Sequence, residues 1–488
     1  MRILFLDLDT LRADHLSCYG YHRKTSPYID WISSQGVRFE NYYCSDAPCL
    51  PSRAALMTGR FGIHTGVVGH GGTAADLRLQ GRSRGFRDRC AVSNWPALLK
   101  QAGFQTVTIS PFAERHGAWW FYAGFTQMYN PGLGGMESAE HVTPLALNWL
   151  KNYGQQDNWF LHVNYWDPHT PYRAPAEFGN PFLHDPLPDW LTAEVLEKHR
   201  SLVGPHCARE LAMYDNQSLP QYPRYLGEIK NLEDLKFHLD NYDCGIRYTD
   251  QHIGQLIETL DKLKVLEETA IIVTADHGEN QGELGIYAEH GTADEATCHI
   301  PMIIRWPGGL RGKVDKGFHY QLDWPPTLAC LLGKEVNSTW EGRSYASSIL
   351  KGEETGYEQL ILSQCAHVCQ RSVRFGPWLY IRTYHDGYHL FPEEMLFHLK
   401  EDPHEQKNLA ESHPEVCGEA ARRLENWHSE MMATSESSED PMWVVLREGG
   451  PAHARGRLKS YCEYLRKTGR AWAIEELKRR HPGEFSSG

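Results

Sequence analysis

Short apolar runs that alternate with helical patterns set the strongest limit on how this chain can fold. The runs lie at residues 3–8, 106–109, 160–163, 270–273 and 302–304, and helical stretches lie between several of them. Continuous apolar runs of this length are typical of strands that are buried on both faces. The sequence therefore predicts an α/β fold in which a large, mostly parallel or mixed sheet is sandwiched by helices.

The second half of the chain has a different character. After the WPGG turn at residues 306–309, apolar runs become shorter, for example at 372–374 and 379–382. They predict a smaller C-terminal α+β domain, with an antiparallel sheet and a packed helix. We expect a main α/β domain over 1–345, the α+β subdomain over 346–434, and a linker with a basic helical tail over 435–488. For the basic residues of the tail, a solvated helical face is favoured over docking of a partner or capping of an active site.

Composition limits the partners and the compartment. The 49 basic and 62 acidic side chains give a formal net charge of −13, which argues against nucleic acid or an anionic membrane as a partner. No stretch approaches the roughly 20 apolar residues of a membrane-spanning helix, and residues 3–6 are too short for a signal-peptide core. None of the 12 cysteines forms a CxxC pattern. The sequence predicts a cytoplasmic protein, with a removed signal sequence and disulfides as the alternative; the basic tail leaves room for a homo-oligomer.

Carboxylates follow two of the predicted strands. Asp9 follows the first apolar run, and Asp276 with His277 follows the fourth. In doubly wound sheets, reactive groups gather beyond the carboxyl ends of strands. Asp7 lies on the same side of its strand as Asp9. If these carboxylates form a metal site, we expect Asp7 to support the site rather than to ligate the metal.

The segment CLPSRAALMTGR at residues 49–60 places Cys49 just before a predicted helix, with Pro51 and Ser52 at early positions. A helix N-terminus and Arg53 both favour an anion there. The thiol is thus interpreted as an activated thiolate or as part of an anion-binding turn. For a lone cysteine, the alternative is an ordinary buried residue.

The whole segment closely resembles the signature of the formylglycine-dependent sulfatases, arylsulfatase-like members of the alkaline-phosphatase superfamily. The pattern C-x-P-S-R followed by A-x-L-M-T-G-R carries the resemblance. It implies that a maturation enzyme oxidises Cys49 to formylglycine, whose hydrate attacks sulfur and releases the alcohol, after which its second hydroxyl expels sulfate. Arg53 would hold the formylglycine and neutralise developing charge.

Two further segments resemble the metal-binding motifs of this family. They are DLDTLRADHL at residues 7–16 and ADHGE at residues 275–279. The resemblance implies one divalent metal held by Asp9, Cys49, Asp276 and His277. Ca²⁺ is the family's usual ion, and Mn²⁺ is the alternative because His277 adds a nitrogen ligand. Thr10 stands where many relatives carry a second aspartate, so the ligand count is expected to be one lower.

The remaining catalytic groups are expected from three loops. The segment WDPHTPY at residues 166–172 resembles the family's H-x-P loop, which implies that His169 donates a proton to the departing oxygen. His290 lies where many relatives place a lysine that contacts the sulfate. The family's GKWH segment is absent, and Arg115 and His116 are interpreted as substitutes for its sulfate contacts, with an aromatic packing loop as the alternative.

The resemblance implies hydrolysis of a sulfate ester, with a sulfated sugar or glycosaminoglycan fragment as the first guess and an aryl sulfate as the second. A phosphonate monoester or phosphodiester hydrolase of the same superfamily is the close alternative. A non-catalytic anion-binding protein would follow if Cys49 is not matured. Five arginines in one polar loop would steer a polyanionic substrate, or form a solvated surface: they are Arg78, Arg82, Arg84, Arg87 and Arg89.

Overall fold

The computed structural model describes residues 1–78 and 93–485. Its strands are β1 (Arg2–Leu8), β2 (Val37–Tyr43), β3 (Asp46–Ala47), β4 (Gln105–Ile109), β5 (Gln127–Tyr129), β6 (Trp159–Tyr165), β7 (Thr269–Ala275), β8 (Asn280–Gln281), β9 (Tyr287–Glu289), β10 (Met302–Arg305), β11 (Lys313–Tyr320), β12 (Gln359–Gln364), β13 (Cys369–Phe375), β14 (Trp378–His385) and β15 (Glu394–His398). Its α-helices are α1 (Pro27–Ser34), α2 (Cys49–Thr58), α3 (Gly62–Thr65), α4 (Trp95–Gln101), α5 (Phe112–His116), α6 (Ala139–Tyr153), α7 (Ala193–Ser201), α8 (Leu232–Lys262), α9 (Glu295–Cys298), α10 (Trp324–Leu331), α11 (Ala346–Lys351), α12 (Pro414–Thr434), α13 (Pro441–Arg447), α14 (Leu458–Lys467) and α15 (Ile474–Arg480).

The large sheet has the strand order β11-β2-β10-β7-β1-β6-β4-β5. β1 pairs in parallel with both β6 and β7, and β10 runs antiparallel to its neighbours β7 and β2. Every residue of β1, β6 and β7 is buried, so both faces of the sheet centre are covered. The five predicted strands lie within β1, β4, β6, β7 and β10, which confirms the predicted fold class.

Helix α8 carries an apolar stripe in its second half. Ile253, Leu256 and Leu260 are fully buried, as expected for residues that share one face of a helix. The helix begins about six turns earlier than the stripe, at a position where the side chain of Asn231 accepts a hydrogen bond from the backbone N–H of Asp234.

The smaller sheet has the order β15-β14-β13-β12-β3, and all its pairs are antiparallel except β12 with β3. Helix α12 packs on it through Cys417, Ala420 and Leu424. The predicted antiparallel sheet with a packed helix is therefore confirmed, whereas the domain boundaries at 345 and 434 stay predictions. Because β3 ends two residues before Cys49, the small sheet also fixes the chain where it enters α2.

The C-terminal tail packs against the body of the protein. Tyr461 of α14 is buried in a cluster with Val203, and the buried Arg470 pairs with Glu210 at 2.9 Å. The interpretation of the basic residues as a solvated face thus fits Lys459 and most of the others, which are exposed, and is wrong for the buried Arg470. The tail's apolar stripe, rather than its charge, decides its position.

Candidate active site

The carboxyl ends of β1 and β7 meet the beginning of α2. Asp9 lies directly beyond β1, and Asp276 and His277 lie directly beyond β7, in agreement with the rule for parallel sheets. Cys49 is the first residue of α2, and its Sγ lies 3.1 Å from His277 Nε2. Ser52 ties the two segments together, because its hydroxyl donates to the carbonyl of Asp276 at 2.6 Å.

The environment of Cys49 does not favour a thiolate. The side chain is almost fully buried. Burial, and then the negative charges of Asp9 and Asp276, raise the pKa of the thiol well above its ordinary value. With these side chains alone the neutral thiol is favoured, which argues against an activated thiolate, and the catalytic assignment of Cys49 stays a prediction.

Arg53 lies one helical turn after Cys49 and is completely buried. Its Nη1 donates to Asp9 Oδ2 at 3.0 Å and to Asp276 Oδ2 at 2.5 Å, and its Nε donates to Asp7 Oδ2 at 3.0 Å. The guanidinium also lies over the Phe112 ring, 4.9 Å from its centroid. One guanidinium thus faces three buried carboxylates, which leaves an excess of negative charge in the site.

The residues predicted as metal ligands are brought together and fit a divalent cation. The ligand atoms of Asp9, Cys49, Asp276 and His277 all lie within 4.8 Å of one another. Among the residues that the structure describes, the buried Asp9 Oδ1 has no hydrogen-bond partner, which is costly unless a cation or another group binds it. Burial, together with the charge of Asp9, outweighs Arg53 and raises the pKa of Asp276 to about 7. Added positive charge would relieve this penalty.

Thr10 and Asp7 lie beside this cluster. Thr10 has a left-handed backbone, with φ of 57°, and its N–H donates to Asp276 Oδ1 at 3.2 Å. Its hydroxyl has no hydrogen-bond partner. Asp7 contacts Arg53 and, at 3.4 Å, His162 Nε2, which places it behind Arg53 rather than among the candidate ligands.

His169 and His290 lie next to the candidate metal ligands and contact each other. The Nε2 of His169 is 4.0 Å from Asp9 Oδ1, and its Nδ1 contacts the carbonyl of Thr170. The His290 ring lies 4.2 Å from that of His277 and 5.3 Å from that of His169. Burial lowers the pKa of His169 to about 4 and that of His290 well below its ordinary value. His290 is therefore a neutral group, unlike the lysine whose place it takes.

Arg115 and His116 occupy the end of α5, near the mouth of the site. Arg115 is exposed, stacks on the Trp166 ring at 4.8 Å and donates to the carbonyl of Gly134 at 2.9 Å. His116 Nε2 is buried without a hydrogen-bond partner. Aromatic side chains of the same segment, including Trp120, build core, so the segment combines packing with a free imidazole nitrogen.

Sequence reasoning missed three of the four histidines that meet around His70, namely His70, His367 and His453; the fourth is His116. We call these four residues the histidine wall. They come from widely separated parts of the chain, and His70 Nδ1 lies 3.0 Å from His453 Nε2. The only signal in the sequence was the high count of 26 histidines, which does not say which of them meet.

The arginine-rich loop falls mostly outside the described residues. Arg82, Arg84, Arg87 and Arg89 belong to that part of the chain. Arg78 is described, and its Nη2 donates to the carbonyl of Glu439 at 3.1 Å. Arg78 thus joins its loop to the start of the C-terminal tail, and steering of substrate by the loop stays a prediction.

The buried cysteine, the arginine one turn later and the Asp-His pair all lie within one matched region, because residues 2–334 match the family model described as "Sulfatase". The chain belongs to the sulfatase family. Sulfatases are sulfuric ester hydrolases, and this sulfatase has the expected large mixed sheet with a smaller antiparallel sheet.

Two curated relatives extend along nearly the whole sulfatase chain. It is 26% identical over 517 residues to choline-sulfatase of Rhizobium meliloti (strain 1021), covering 94% of both chains. It is 24% identical over 507 residues to N-acetylgalactosamine-6-O-sulfatase of Bacteroides thetaiotaomicron, covering 87% of this chain and 92% of the relative. The likeness is therefore not limited to the motifs.

Solved structures show the same fold. One is a complex with its substrate D-glucosamine-2-N,6-O-disulfate, with a TM-score of 0.69 and 19% identity, covering 90% of this sulfatase and 99% of that chain. Another is a phosphonate monoester hydrolase from Silicibacter pomeroyi, with a TM-score of 0.67 and 20% identity, covering 91% and 97%. The sulfatase thus shares its architecture with enzymes that act on two kinds of ester.

Proposed function

We propose that this sulfatase hydrolyses the sulfate ester of a sugar, and that formylglycine formed from Cys49 is its nucleophile. The observation that carries the proposal is the placement of Cys49, whose buried, neutral thiol lies 3.1 Å from His277 and within the candidate metal cluster. A thiol of raised pKa is a weak nucleophile. Hydrated formylglycine supplies two hydroxyl groups at the same position, one for attack on sulfur and one for release of sulfate.

The metal site is proposed for the same residues. Asp9, Asp276 and His277 would hold a divalent ion together with the oxidised side chain at position 49, and the unpartnered Asp9 Oδ1 supports this assignment. The oxygen-rich donors favour Ca²⁺, with Mn²⁺ as the alternative because of His277. Such an ion supplies positive charge next to the sulfate oxygens.

Three side chains would then act on the sulfate ester. Arg53 orients the side chain at position 49 and offsets negative charge, since its guanidinium is held at the site by three carboxylates. His169 presents Nε2 to the site, because its Nδ1 contacts the Thr170 carbonyl. As the imidazolium that the bound anionic ester favours, with its second proton on Nε2, it is proposed to protonate the departing oxygen. His290, whose Nε2 faces Glu289 Oε1 at 3.0 Å, is proposed to contact the sulfate on its Nδ1 side.

A sugar is proposed as the leaving group for two reasons. The first is that N-acetylgalactosamine-6-O-sulfatase is among the relatives. The second is that the histidine wall places polar imidazoles next to the site, where an apolar leaving group would favour apolar side chains. The phosphonate monoester hydrolase structure keeps phosphonate and phosphate esters as the second candidate class, because it shows the same fold. Fold likeness alone does not choose between these esters.

A reducing compartment and a maturation enzyme are part of the proposal. The eleven cysteines among residues 1–78 and 93–485 are all free thiols, which supports the cytoplasm. In that same part of the chain, none of the helices combines the length and the apolar character that crossing a bilayer requires. A maturation enzyme must oxidise Cys49 before activity appears.

The proposal is tested by co-expression with a formylglycine-generating enzyme. We expect the peptide that contains residue 49 to lose about 18 Da, the change from thiol to aldehyde on the oxidation path of cysteine. The matured protein should release sulfate from a 6-O-sulfated hexosamine, and Cys49→Ala should abolish this activity. Cys330→Ala is the matched control, because Cys330 is exposed.

Three outcomes would contradict parts of the proposal. Full activity with an unmodified Cys49 would exclude formylglycine as the nucleophile. Faster hydrolysis of a phosphonate monoester than of any sulfate ester would favour the second candidate class. Binding of sulfated sugar by fully matured protein without turnover would indicate an anion-binding protein.

A further inference from the structure

The C-terminal tail reaches the active site through His453. The tail lies outside the region that matches the family model, which ends at residue 334. Its loop before α14 is fixed to the body, because the His453 N–H donates to the Ala366 carbonyl at 3.1 Å and the Tyr214 hydroxyl donates to the His453 carbonyl at 2.8 Å. The position of the His453 ring is thus set by packing of the tail.

A closed circuit of contacts runs from the start of α2 to His453 and back. Its members, in order, are Cys49, His277, His290, His367, His453, His70 and Leu50. The circuit closes where His70 Nε2 accepts a long hydrogen bond, at 3.5 Å, from the backbone N–H of Leu50. The side chains of His70, His367 and His453 are therefore linked by contacts to the side chain at position 49 from both directions.

One nitrogen from each of His70, His367 and His453 lies within 4.8 Å of the others, which suggests a second metal site. The orientation of the rings favours hydrogen bonding instead. The rings of His367 and His453 are stacked, with centroids 4.2 Å apart and planes 12° apart. The lone pair of an imidazole nitrogen lies in the ring plane, so two nearly parallel rings cannot both direct lone pairs at one ion between them. The 3.0 Å separation of His70 Nδ1 and His453 Nε2 is a normal hydrogen-bond length.

The wall consists of neutral imidazoles. Burial, followed by repulsion from neighbouring rings, lowers the pKa of His70 well below its ordinary value, and burial does the same for His367. A neutral imidazole offers one N–H donor and one acceptor nitrogen. His70 uses both of its nitrogens within the protein, at His453 Nε2 and at the Leu50 N–H. The nitrogens left for a sugar hydroxyl, which also donates and accepts, belong to other members of the wall, such as His116, whose Nε2 has no hydrogen-bond partner among the described residues.

A carboxylate, that of Glu289, is in contact with the wall. Glu289 Oε1 faces His290 Nε2 at 3.0 Å and His367 Nε2 at 3.5 Å, and Glu289 Oε2 faces His206 Nε2 at 2.8 Å. The backbone N–H of His290 also donates to Oε1 at 2.9 Å. Glu289 Oε1 is thus engaged by the His290 backbone, and the carboxylate lies among the imidazoles of His206, His290 and His367.

We propose that the histidine wall binds the hydroxyls of the leaving group, and that His453 of the tail is a specificity-determining residue for a neutral, polyhydroxylated sugar. This inference rests on the proposed function and adds the residues that choose the alcohol. It predicts that substitutions in the wall change the choice of alcohol rather than the cleavage of the sulfate ester.

The test compares kcat/KM of matured protein on a 6-O-sulfated hexosamine, p-nitrophenyl sulfate and choline sulfate. We expect His453→Ala to lower kcat/KM on the sulfated sugar about tenfold or more, since it removes at least one buried hydrogen bond to the substrate, and to change that on p-nitrophenyl sulfate less than twofold. His453→Gln should recover part of the loss, because an amide also donates and accepts. His184→Ala is the matched control, since His184 is exposed, and should leave all three values unchanged.

The outcomes separate the inference from the function on which it rests. If matured wild-type protein hydrolyses none of the sulfate esters, the proposed function and the inference both fail. If it is active but His453→Ala lowers all three values equally, only the inference is wrong. If choline sulfate is its best substrate, the inference and the choice of a sugar in the proposed function are both wrong. Binding of one equivalent of Zn²⁺ by the Ca²⁺-loaded wild type, lost in His453→Ala, would show a metal site in place of a sugar-binding wall.

Discussion

Arg53 Nε donates to Asp7 Oδ2 at 3.0 Å, and neither side chain has any exposure to solvent. This contact gives different roles to Asp7, which lies in β1, and Asp9, which lies just beyond it. Asp7 is engaged by Arg53 and His162, whereas Asp9 keeps one oxygen without a hydrogen-bond partner. Asp7 therefore positions the arginine, and Asp9 faces the candidate ion.

The first prediction compares Asp7→Asn with Asp9→Asn. Asp9→Asn removes a charged ligand and should weaken Ca²⁺ binding by at least about 100-fold, while Asp7→Asn should weaken it by less than about tenfold, because Asp7 acts only through Arg53. Isothermal titration calorimetry measures both affinities on unmatured protein, so the result does not depend on turnover. Equal losses in the two variants would show that Asp7 is itself a ligand.

The strands and the motifs beyond them could be predicted from the sequence, because both are local patterns. A buried parallel strand appears as a continuous apolar run, and the residue after it is carried to the same edge of the sheet by topology. Asp9 and Asp276 are placed in this way. The wall could not be predicted, because His70 and His453 are nearly 400 positions apart and meet only through packing of the tail.

The charge states of the site residues could not be predicted from the sequence either. The helix start and Arg53 suggested a positive environment for Cys49, yet three carboxylates share that arginine. Burial and neighbouring carboxylates raise the pKa of the thiol instead. Burial depends on the tertiary structure. Here it reverses the direction of the pKa shift that the residues adjacent to Cys49 predict.

A second prediction concerns Thr10→Asp. Thr10 has a positive φ of 57°, which is unfavourable for a β-branched residue and better tolerated by aspartate. Its hydroxyl has no hydrogen-bond partner, and a carboxylate there would add an oxygen ligand beside Asp9. We expect Ca²⁺ affinity to rise about tenfold, as measured by calorimetry, because additional ligand charge strengthens Ca²⁺ sites. Thr10→Asn, which adds an oxygen without charge, is the matched control, and an equal gain from it would argue against charge as the cause.

A third prediction concerns the anchoring of the tail by Asp386. Its carboxylate faces His481 Nε2 at 2.8 Å and Arg480 Nη1 at 2.9 Å. Burial alone would raise the pKa of Asp386, but the hydrogen bond and charge of His481 hold it at about 2, below the ordinary value of 3.8. The resulting stabilisation is complete above the ordinary pKa and is lost as the pH falls through about 2.

Asp386→Asn should therefore lower the free energy of unfolding by about 2 kcal/mol at pH 7, and by about half as much at pH 3. Urea unfolding of the two proteins at both pH values measures the difference. A destabilisation that is independent of pH would show that Asp386 acts through packing rather than through its charge. Glu475→Gln is a control, because Glu475 is an exposed carboxylate of α15, whose ion pair with Lys478 lies at the surface.

A fourth prediction concerns the glycine that follows the Asp-His pair. A Cβ added at Gly278 would lie 2.1 Å from the carbonyl oxygen of Ala296, and the Gly278 N–H donates to the Thr297 carbonyl at 2.7 Å. Since both neighbouring groups are backbone, the loop after β7 must move, and Asp276 and His277 move with it. Gly278→Ala should cost about 3 kcal/mol of unfolding free energy and abolish measurable Ca²⁺ binding.

Gly291→Ala provides the matched control for this prediction. A Cβ at Gly291 meets its nearest atom, Glu289 Cγ, at 3.6 Å, which is ordinary van der Waals contact. The same substitution close to His290 should therefore change the unfolding free energy by less than about 1 kcal/mol and leave Ca²⁺ binding intact. If Gly278→Ala retains Ca²⁺ affinity in calorimetry although its stability falls, the position of the loop after β7 does not determine metal binding, and Asp276 and His277 would lose their place in the proposed ligand set.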